Sequence, residues 1–384
     1  MNKKILFISG TRADFSKLKA LIKVVDDLEN FEYQIFITGM HMLKRYGNTY
    51  LEIIKSGFTN THKFINQHID EPMEMILANT IEGLSRYIYE NRPDMIIVHG
   101  DRIEALAGAI VGSLNNILVT HIEGGERSGT IDELIRHSVT KLSHIHLVAN
   151  EEAKNRIIQM GERESSIFLI GSPDIDIMKS KNLPSIREVK EYYNIPFEEY
   201  YIVMFHPVTT EVDKFDRYSK NLVDALIESN NNFVVIYPNN DHGTNFIFNE
   251  YKRLENLSNF KLFPSIKFEY FLTLLKHSIS IIGNSSAGIR EAPIYGIPTI
   301  NIGTRQNLRC TGKSIFNCDY NKKNILKMIQ KVKEYKKDST IKNEYFGSGD
   351  SAKRFKNLLL NPNLWKISAQ KVFIDHNFVR KCDE

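Results

Sequence analysis

Acidic and basic side chains are concentrated in three short segments of the first half of the chain. These segments are His99-Gly-Asp-Arg102, His121-Ile-Glu-Gly-Gly-Glu126 and Gly129-Thr-Ile-Asp-Glu-Leu-Ile-Arg-His137. Carboxylates that share a crevice can have pKa values pushed apart, as general acid and base catalysis requires. We therefore expect proton transfer from the four carboxylates that these segments bring together, namely Asp101, Glu123, Glu126 and Asp132.

The third segment predicts the start of a helix that carries four ionisable side chains on one surface. Asp132 and Arg136 are four residues apart, as are Glu133 and His137, so each pair meets on neighbouring turns. Taken singly, a carboxylate here could instead cap a helix or join an ion pair. The convergence of several carboxylates from adjacent loops favours proton chemistry.

A metal site is a competing use of the same segments. His99 stands one residue from Asp101, and His121 stands one residue from Glu123. Each pair would point in one direction only if strand geometry continued into the loop. We therefore favour acid and base roles and predict no bound metal ion.

A phosphate-binding segment is predicted near the N-terminus, at Gly10-Thr-Arg-Ala-Asp-Phe-Ser-Lys17. It places Arg12, Asp14, Ser16 and Lys17 at the opening of a helix, and a helix N-terminus beside an arginine suits a phosphate. The segment lacks the G-x-G-x-x-G pattern of dinucleotide-binding proteins. The alternative is a charged first turn that only caps its own helix.

The second half of the chain has four comparable segments. They are Phe205-His-Pro-Val-Thr-Thr-Glu211, Tyr237-Pro-Asn-Asn-Asp241, Gly283-Asn-Ser-Ser-Ala-Gly-Ile-Arg-Glu291 and Gly303-Thr-Arg-Gln306. Ser285, Ser286 and the free amides of a helix start can bind a pyrophosphate, and Glu291 could reach the hydroxyls of a ribose. Arg305 is expected at the same rim. A helix cap without a ligand is the alternative.

These segments follow short runs rich in Val, Ile and Phe that alternate with helical patterns, as in a parallel sheet. In the first half we predict strands at Lys4–Ser9, Tyr33–Thr38, Met95–His99, Ile117–Ile122, Ile145–Ala149 and Ile167–Ile170, with helices that begin near Arg12, Ile103, Asp132 and Glu151. In the second half we predict strands at Tyr201–Phe205, Phe233–Tyr237, Phe260–Phe263, Ile279–Ile282 and Thr299–Ile302. The alternation predicts an α/β protein of two Rossmann-like, doubly wound domains that face a cleft.

The 384 residues are enough for two domains. We predict a first domain over residues 1–172 with the acid and base segments, and a nucleotide-binding domain over residues 173–364. Ser172, Pro173, Pro184 and Pro196 interrupt the regular patterns between them. Ser351–Leu360 is predicted to be one helix, and the tail, residues 365–384, to pack back on the first domain.

The composition argues against several other classes of protein. Fifty Lys and Arg against 46 Asp and Glu give a net charge of +4, which predicts no nucleic-acid partner. Three cysteines cannot build a disulfide framework. The longest uncharged stretch, Ala105–Ile122, contains Asn115 and His121, so we expect no membrane span, and the N-terminal apolar run is too short for a signal sequence. A cytoplasmic protein is expected.

Eight strings carry a resemblance to a known family: GTRADFSK (10–17), YGNTY (46–50), VHGDR (98–102), HIEGGE (121–126), SGTIDELIRHSVTKL (128–142), FHPVTT (205–210), GNSSAGIRE (283–291) and GTRQ (303–306). They resemble the hydrolysing UDP-N-acetylglucosamine 2-epimerases of bacterial sialic acid synthesis and the epimerase half of the animal bifunctional enzyme. The resemblance implies a glycosyltransferase-B-like fold and the conversion of UDP-N-acetylglucosamine and water to N-acetylmannosamine and UDP through a glycal. It implies no cofactor, and we expect a homodimer or homotetramer.

The resemblance also implies roles for individual residues. It implies essential carboxylates at Asp101, Glu123 and Asp132 and a functional histidine at His206. It implies nucleotide contacts from Arg12, Ser16, Arg102, His206, Asn239, Ser285, Ser286, Glu291 and Arg305. The sequence departs from the family pattern at Leu308, where a glycine is frequent, so the pattern does not predict the turn after Gln306.

Three alternatives stay open for the function. The enzyme could act on another sugar nucleotide, such as UDP-2,4-diacetamido-2,4,6-trideoxyglucose on the way to legionaminic acid. A glycosyltransferase would share the nucleotide-binding half but use an acceptor in place of water. A nucleotide-sugar sensor without catalysis would keep Ser285, Ser286 and Glu291 but could lose the carboxylates, which are present here.

Overall fold

Two parallel sheets with helices on both faces form the computed structural model, which describes residues 2–128, 130–307, 312–335 and 345–375. The first sheet contains β1 (Lys3–Ser9), β2 (Phe31–Ile37), β3 (Thr61–Lys63), β4 (Met95–His99), β5 (Leu118–Ile122), β6 (Ile145–Val148) and β7 (Ile167–Leu169). The second contains β8 (Tyr201–Met204), β9 (Phe233–Ile236), β10 (Phe260–Phe263), β11 (Ile281–Gly283), β12 (Thr299–Ile302) and β13 (Ile315–Cys318). The predicted α/β fold is confirmed.

Fourteen α-helices are found in the described part of the chain. Those up to the second sheet are α1 (Arg12–Asp26), α2 (Tyr50–Lys55), α3 (Met73–Glu90), α4 (Ile103–Leu114), α5 (Ile131–Leu142), α6 (Glu151–Gln159), α7 (Pro173–Met178) and α8 (Ile186–Tyr193). The others are α9 (Phe215–Glu228), α10 (Thr244–Tyr251), α11 (Phe268–Lys276), α12 (Ala287–Arg290), α13 (Lys322–Lys333) and α14 (Ser351–Leu359). None of these helices is both long and apolar enough to cross a bilayer.

The strand order places the loops of the site. The first sheet runs β3-β2-β1-β4-β5-β6-β7 and the second runs β10-β9-β8-β11-β12-β13, with every neighbouring pair parallel. In each sheet the order reverses beside the first strand, between β1 and β4 and between β8 and β11. Ligands of doubly wound folds bind at this switch point, outside the carboxyl ends of the strands.

Every predicted strand is present, with ends that differ by at most two residues. The apolar runs were a reliable signal because central strands of a parallel sheet are buried on both faces, and Ile5, Leu6 and Phe7 of β1 are fully buried. The strands β3 and β13 were not predicted. Both lie at an edge of their sheet and are partly exposed, so they lack a continuous apolar run.

The chain crosses between the two units at a pair of glycines. The outgoing segment leaves the first unit at Gly171 and Ser172, and the returning segment comes back to it at Phe346 and Gly347. Ser172 N donates a hydrogen bond to Phe346 O at 2.7 Å, so the two segments touch. Gly347 has φ +123°, and a Cβ there would lie 2.9 Å from Gly171 Cα. The two segments can pass this closely because neither residue has a side chain.

The returning segment joins the first unit. Phe355 and Leu358 of α14 belong to the same apolar core as Leu18 of α1, although the predicted division assigned α14 to the second unit. Further on, His144 Nε2 lies 3.0 Å from Ala369 O. Residues 365–375 thus contact the first unit, whereas residues 376–384 lie outside the described part. The domain boundaries themselves stay a prediction.

Candidate active site

The carboxyl ends of both sheets open into one cleft of about 320 Å³. Loops after β1 and β4 line one side, and loops after β8 and β11 line the other, so both switch points contribute. The lining includes every predicted site residue except Glu126 and His137: Arg12, Asp14, Ser16, Lys17, Asp101, Arg102, Glu123, Asp132, Arg136, His206, Asn239, Ser285, Ser286, Glu291 and Arg305. The site exists only where the two units meet.

Asp14 shapes the loop that follows β1. Its carboxylate accepts hydrogen bonds from the N–H groups of Gly10 at 2.9 Å and Thr11 at 2.8 Å, and Thr11 Oγ1 accepts one from Asp14 N at 3.2 Å. This reciprocal pair is a capping box at the start of α1. Ser16 Oγ similarly donates to Arg12 O at 3.0 Å. The first turn therefore uses Asp14 and Ser16 in its own hydrogen bonding.

Two arginines of the first unit reach across the cleft. Arg12 Nη1 donates to Ser265 Oγ at 2.7 Å and also pairs with Glu52, and Arg102 Nη2 donates to Asn240 Oδ1 at 2.8 Å. Both guanidinium groups line the cleft. Planar guanidinium groups match the oxygen atoms of phosphates, so this edge suits a pyrophosphate.

Glu123 is the most heavily partnered carboxylate of the cleft. It lies 3.0 Å from Lys17 Nζ, 3.0 Å from His99 Nε2 and 2.6 Å from Arg290 Nη2, and Ser172 Oγ donates to it as well. Burial alone would raise its pKa, but the charges of Arg290, Lys17 and His99 overcome that effect and hold the pKa well below its usual value. Its φ of +61° is rare for a residue with a side chain. Glu123 is thus fixed in place as an anion.

Asp101 and Asp132 form a second acidic group in the same unit. Asp101 pairs with Arg136, and Asp132 Oδ2 lies 3.2 Å from Arg305 Nη2 of the second unit. Burial raises the pKa of Asp132, and the neighbouring Asp101 raises it further, whereas Arg305 lowers it. Asp132 therefore holds a proton more readily than an ordinary aspartate, in contrast to Glu123.

His206 is held in one tautomer by the second unit. Asn284 Oδ1 accepts from His206 N at 2.7 Å, and Asn239 N donates to His206 Nδ1 at 3.1 Å. Burial, then Arg305 and Arg102, lower the pKa of His206 well below its usual value, so the ring is neutral. Because Nδ1 accepts, the proton is on Nε2, which can donate to a ligand.

The loop after β11 approaches the backbone of β8. Gly283 has φ +134°, and a Cβ there would lie 1.9 Å from Met204 O. Ser285 and Ser286 follow directly and line the cleft. The helix they open, α12, has only four residues. Its dipole is correspondingly small, so hydroxyl groups and arginines carry most of the capacity to bind an anion.

Glu291 lies at the base of the cleft. It is 6% exposed, and burial together with the nearby Asp174 raises its pKa to about 7, against the opposing charges of Lys17 and Arg290. A carboxyl group with this pKa can change its charge near neutral pH when a ligand approaches.

Two predicted residues do not line the cleft. His137 lies outside the cleft lining and contacts Glu133 at 3.1 Å, one turn away on α5. Glu126 pairs with Arg290 Nη1 at 2.5 Å and is not among the residues that line the cleft. Leu308 lies outside the described residues. Among the residues that the structure describes, no three His, Cys, Asp or Glu side chains are grouped to hold a metal ion.

Sequence patterns did not single out three residues of the site, namely Ser172, Asp174 and Arg290. Arg290 was part of a quoted motif, but only the fold shows that its partners come from loops more than 100 positions away. Asp174 follows a proline at a helix start, where an acidic residue is common without any ligand. A buried arginine needs carboxylate partners, and the only available hint was the excess of acidic residues in the HIEGGE segment.

Comparison with known proteins identifies the family. The model of the family described as UDP-N-acetylglucosamine 2-epimerase matches residues 23–360. The UDP-N-acetylglucosamine 2-epimerase of Neisseria meningitidis serogroup B is 52% identical over 98% of this chain and 100% of its own length. The UDP-N,N'-diacetylbacillosamine 2-epimerase (hydrolyzing) of Legionella pneumophila is 32% identical over 94% of this chain and 96% of its own length.

Solved structures share the fold. The crystal structure of Methanocaldococcus jannaschii UDP-GlcNAc 2-epimerase in complex with UDP-GlcNAc and UDP matches with a TM-score of 0.77 at 22% identity, over 93% of this chain and 99% of that chain. The predicted glycosyltransferase-B-like arrangement of two Rossmann-like units is confirmed by this match. Since the family model and the relatives each cover most of its length, the chain belongs to the UDP-N-acetylglucosamine 2-epimerase family of enzymes.

Proposed function

We propose that the protein is a hydrolysing 2-epimerase that converts UDP-N-acetylglucosamine and water to N-acetylmannosamine and UDP, as a step toward sialic acids. The observation that carries this proposal is one cleft in which Glu123 is held ionised while Asp132 retains a proton more readily. The Neisseria relative is named for the same sugar nucleotide, and the Legionella relative is named as hydrolyzing. Both names support the proposal.

In the first step the sugar loses UDP and the proton on carbon 2, which leaves a glycal with a double bond between carbons 1 and 2. We assign this proton to Asp132, because its raised pKa brings it closer to the working pH than an ordinary aspartate. The electron pair of the broken bond leaves with UDP. Arg12, Arg102, Arg305 and the Nε2–H of His206 offset the charge that develops on the pyrophosphate.

In the second step water adds to the glycal. Carbon 2 receives a proton on the opposite face, and we assign Asp101, which also lines the cleft, as its donor. The positive charge that results on carbon 1 is stabilised by the ionised Glu123, which also orients the attacking water. The hydroxyl group of the water adds to carbon 1, and the remaining proton of the water passes to solvent. The inverted carbon 2 makes the product N-acetylmannosamine.

Proton NMR of the reaction in deuterated water tests this proposal. We expect N-acetylmannosamine with deuterium at carbon 2 and an equal amount of UDP. If the epimerised sugar stays attached to UDP, the enzyme is not hydrolysing. If UDP is released only when an acceptor sugar is added, the protein is a glycosyltransferase.

A second substrate is worth testing because of the Legionella relative, whose name specifies UDP-N,N'-diacetylbacillosamine. This compound is the 2,4-diacetamido-2,4,6-trideoxy sugar nucleotide named above as an alternative substrate. We expect kcat/KM to favour UDP-N-acetylglucosamine, since the Neisseria relative is considerably more similar at 52% identity. A higher kcat/KM for the diacetamido substrate would overturn this choice of sugar.

A further inference from the structure

Arg290 joins the second unit to the acidic residues of the first. It is 4% exposed, and its Nη2 atom lies 2.6 Å from Glu123 Oε1 and 2.6 Å from Ser172 Oγ. Its Nη1 atom lies 2.5 Å from Glu126 Oε2, and Asp174 Oδ2 is 3.6 Å from Nη2. One guanidinium group therefore contacts the loop after β5 and the segment that connects the units.

The position of Arg290 is fixed from its other face. Its guanidinium group lies 4.5 Å from the ring centroid of Phe346, which belongs to the returning segment. Phe346 O accepts the hydrogen bond from Ser172 N, so the outgoing and returning segments are joined beside Arg290. Because the side chain is enclosed by both segments, it has little freedom to turn away from Glu123.

We propose that Arg290 is a positioning residue for the reaction, which fixes Glu123 in the cleft as an ionised carboxylate. The proposal deepens the proposed function and rests on it, because that mechanism assigns the ionised Glu123 to the charge on carbon 1. Arg290 acts through Glu123 and has no role of its own in proton transfer.

Other charged groups also lie close to Glu123, and they determine how far the pKa of Glu123 changes when Arg290 is removed. Lys17 Nζ from α1 and His99 Nε2 from the end of β4 are each 3.0 Å away, and Arg136 from α5 donates to the Glu123 carbonyl at 2.7 Å. Besides Glu123, the acidic groups whose charges act on Arg290 are Glu126, Asp174 and Glu291. After burial, Arg290 has the largest influence on the pKa of the Glu123 carboxylate, ahead of Lys17 and His99. Its removal should therefore raise the pKa of Glu123 although Lys17 and His99 remain beside the carboxylate.

The test is the pH dependence of kcat for R290M, R290K and the unchanged enzyme. The rate is measured as deuterium incorporation at carbon 2 of the sugar nucleotide that the unchanged enzyme turns over. R290M removes the charge, so the acidic limb of the profile should move up by about one to three pH units, the usual effect of one adjacent cation on a carboxyl group. R290K keeps a positive charge, so it should retain more of the plateau rate than R290M and shift the acidic limb by less.

Glu126→Gln is the matched control because it removes the other carboxylate that Arg290 holds. Loss of a nearby negative charge cannot make Glu123 easier to protonate, so this variant should not move the acidic limb upward. Calorimetric titration with UDP checks the fold of each variant, and R290M should bind UDP within about twofold of the unchanged enzyme.

Several outcomes would overturn the proposal. An acidic limb that stays in place in R290M shows that Arg290 does not act through Glu123, whatever happens to the plateau rate. A parallel loss of UDP affinity and kcat shows a role in folding alone. If R290M does not fold, the test rests on R290K. An acidic limb of R290K at the same pH as in the unchanged enzyme then rejects the proposal. Exchange at carbon 2 also occurs when UDP is retained, so a wrong assignment of hydrolysis appears in the products and not in this readout.

Discussion

Glu291 should make the binding of UDP depend on pH. Burial and Asp174 raise its pKa from 4.5 to about 7, and its Oε2 atom has no hydrogen-bond partner among the described residues. Below neutral pH the free protein therefore carries a protonated Glu291. Accepting hydrogen bonds from the two hydroxyls of a ribose favours the carboxylate, so UDP should bind better as the pH rises toward neutrality.

The size of the effect follows from the pKa. A carboxyl whose pKa moves from 4.5 to about 7 has its ionised form disfavoured by about 3 kcal/mol. If bound UDP cancels this penalty, affinity should fall by up to about tenfold for each pH unit below 7, and by up to about 300-fold in total. Folding stability has the opposite trend, since the contribution of the protonated carboxyl is fully present below pH 4.5 and is lost as the pH rises through about 7.

Calorimetric titration of UDP at several pH values measures this dependence in the unchanged enzyme and in Glu291→Gln. The terminal phosphate of UDP also titrates in this range, but both proteins share that effect, so the difference between the two slopes belongs to Glu291. Glu291→Gln should bind UDP more weakly above pH 7 and lose the additional slope below it. If UDP affinity depends on pH equally in the two proteins, the assignment of Glu291 to the ribose is refuted.

Three further predictions concern proton transfer, the fold of the loop after β11 and metals. Asp101→Asn should lower turnover by about 100-fold or more with UDP affinity nearly unchanged, whereas Ser286→Ala should weaken UDP by about 10-fold to 150-fold. Equal loss of UDP affinity in both variants, measured by calorimetry alongside turnover, would make Asp101 a binding residue. Gly283→Ala should lower the free energy of unfolding by at least about 2 kcal/mol in denaturant titrations, because its Cβ would lie 1.9 Å from Met204 O; an unchanged midpoint would contradict this. Treatment with EDTA should leave activity within about twofold, and a loss restored by a divalent ion would show metal dependence.

Much of the site could be predicted because its residues follow buried strands. The apolar runs that precede Gly10, Asp101 and Gly283 mark the central strands, and the carboxyl ends of such strands share one edge of a sheet. Loop position alone does not fix the role of a side chain. Asp14 and His137 both belong to a segment that follows a predicted strand. Asp14 closes a capping box, whereas His137 contacts Glu133 and does not line the cleft.

By itself the sequence determined the two doubly wound units and the loops that carry the polar residues, because strand and helix periodicity is local along the chain. Only the tertiary structure decided which charges meet. Glu123 is held ionised chiefly by Arg290, and Asp132 is paired with Arg305. Both arginines lie far away in sequence and reach the first unit across the interface. The charge state of a buried carboxyl is set by neighbours within a few ångströms, and sequence spacing does not give those neighbours when they come from another domain.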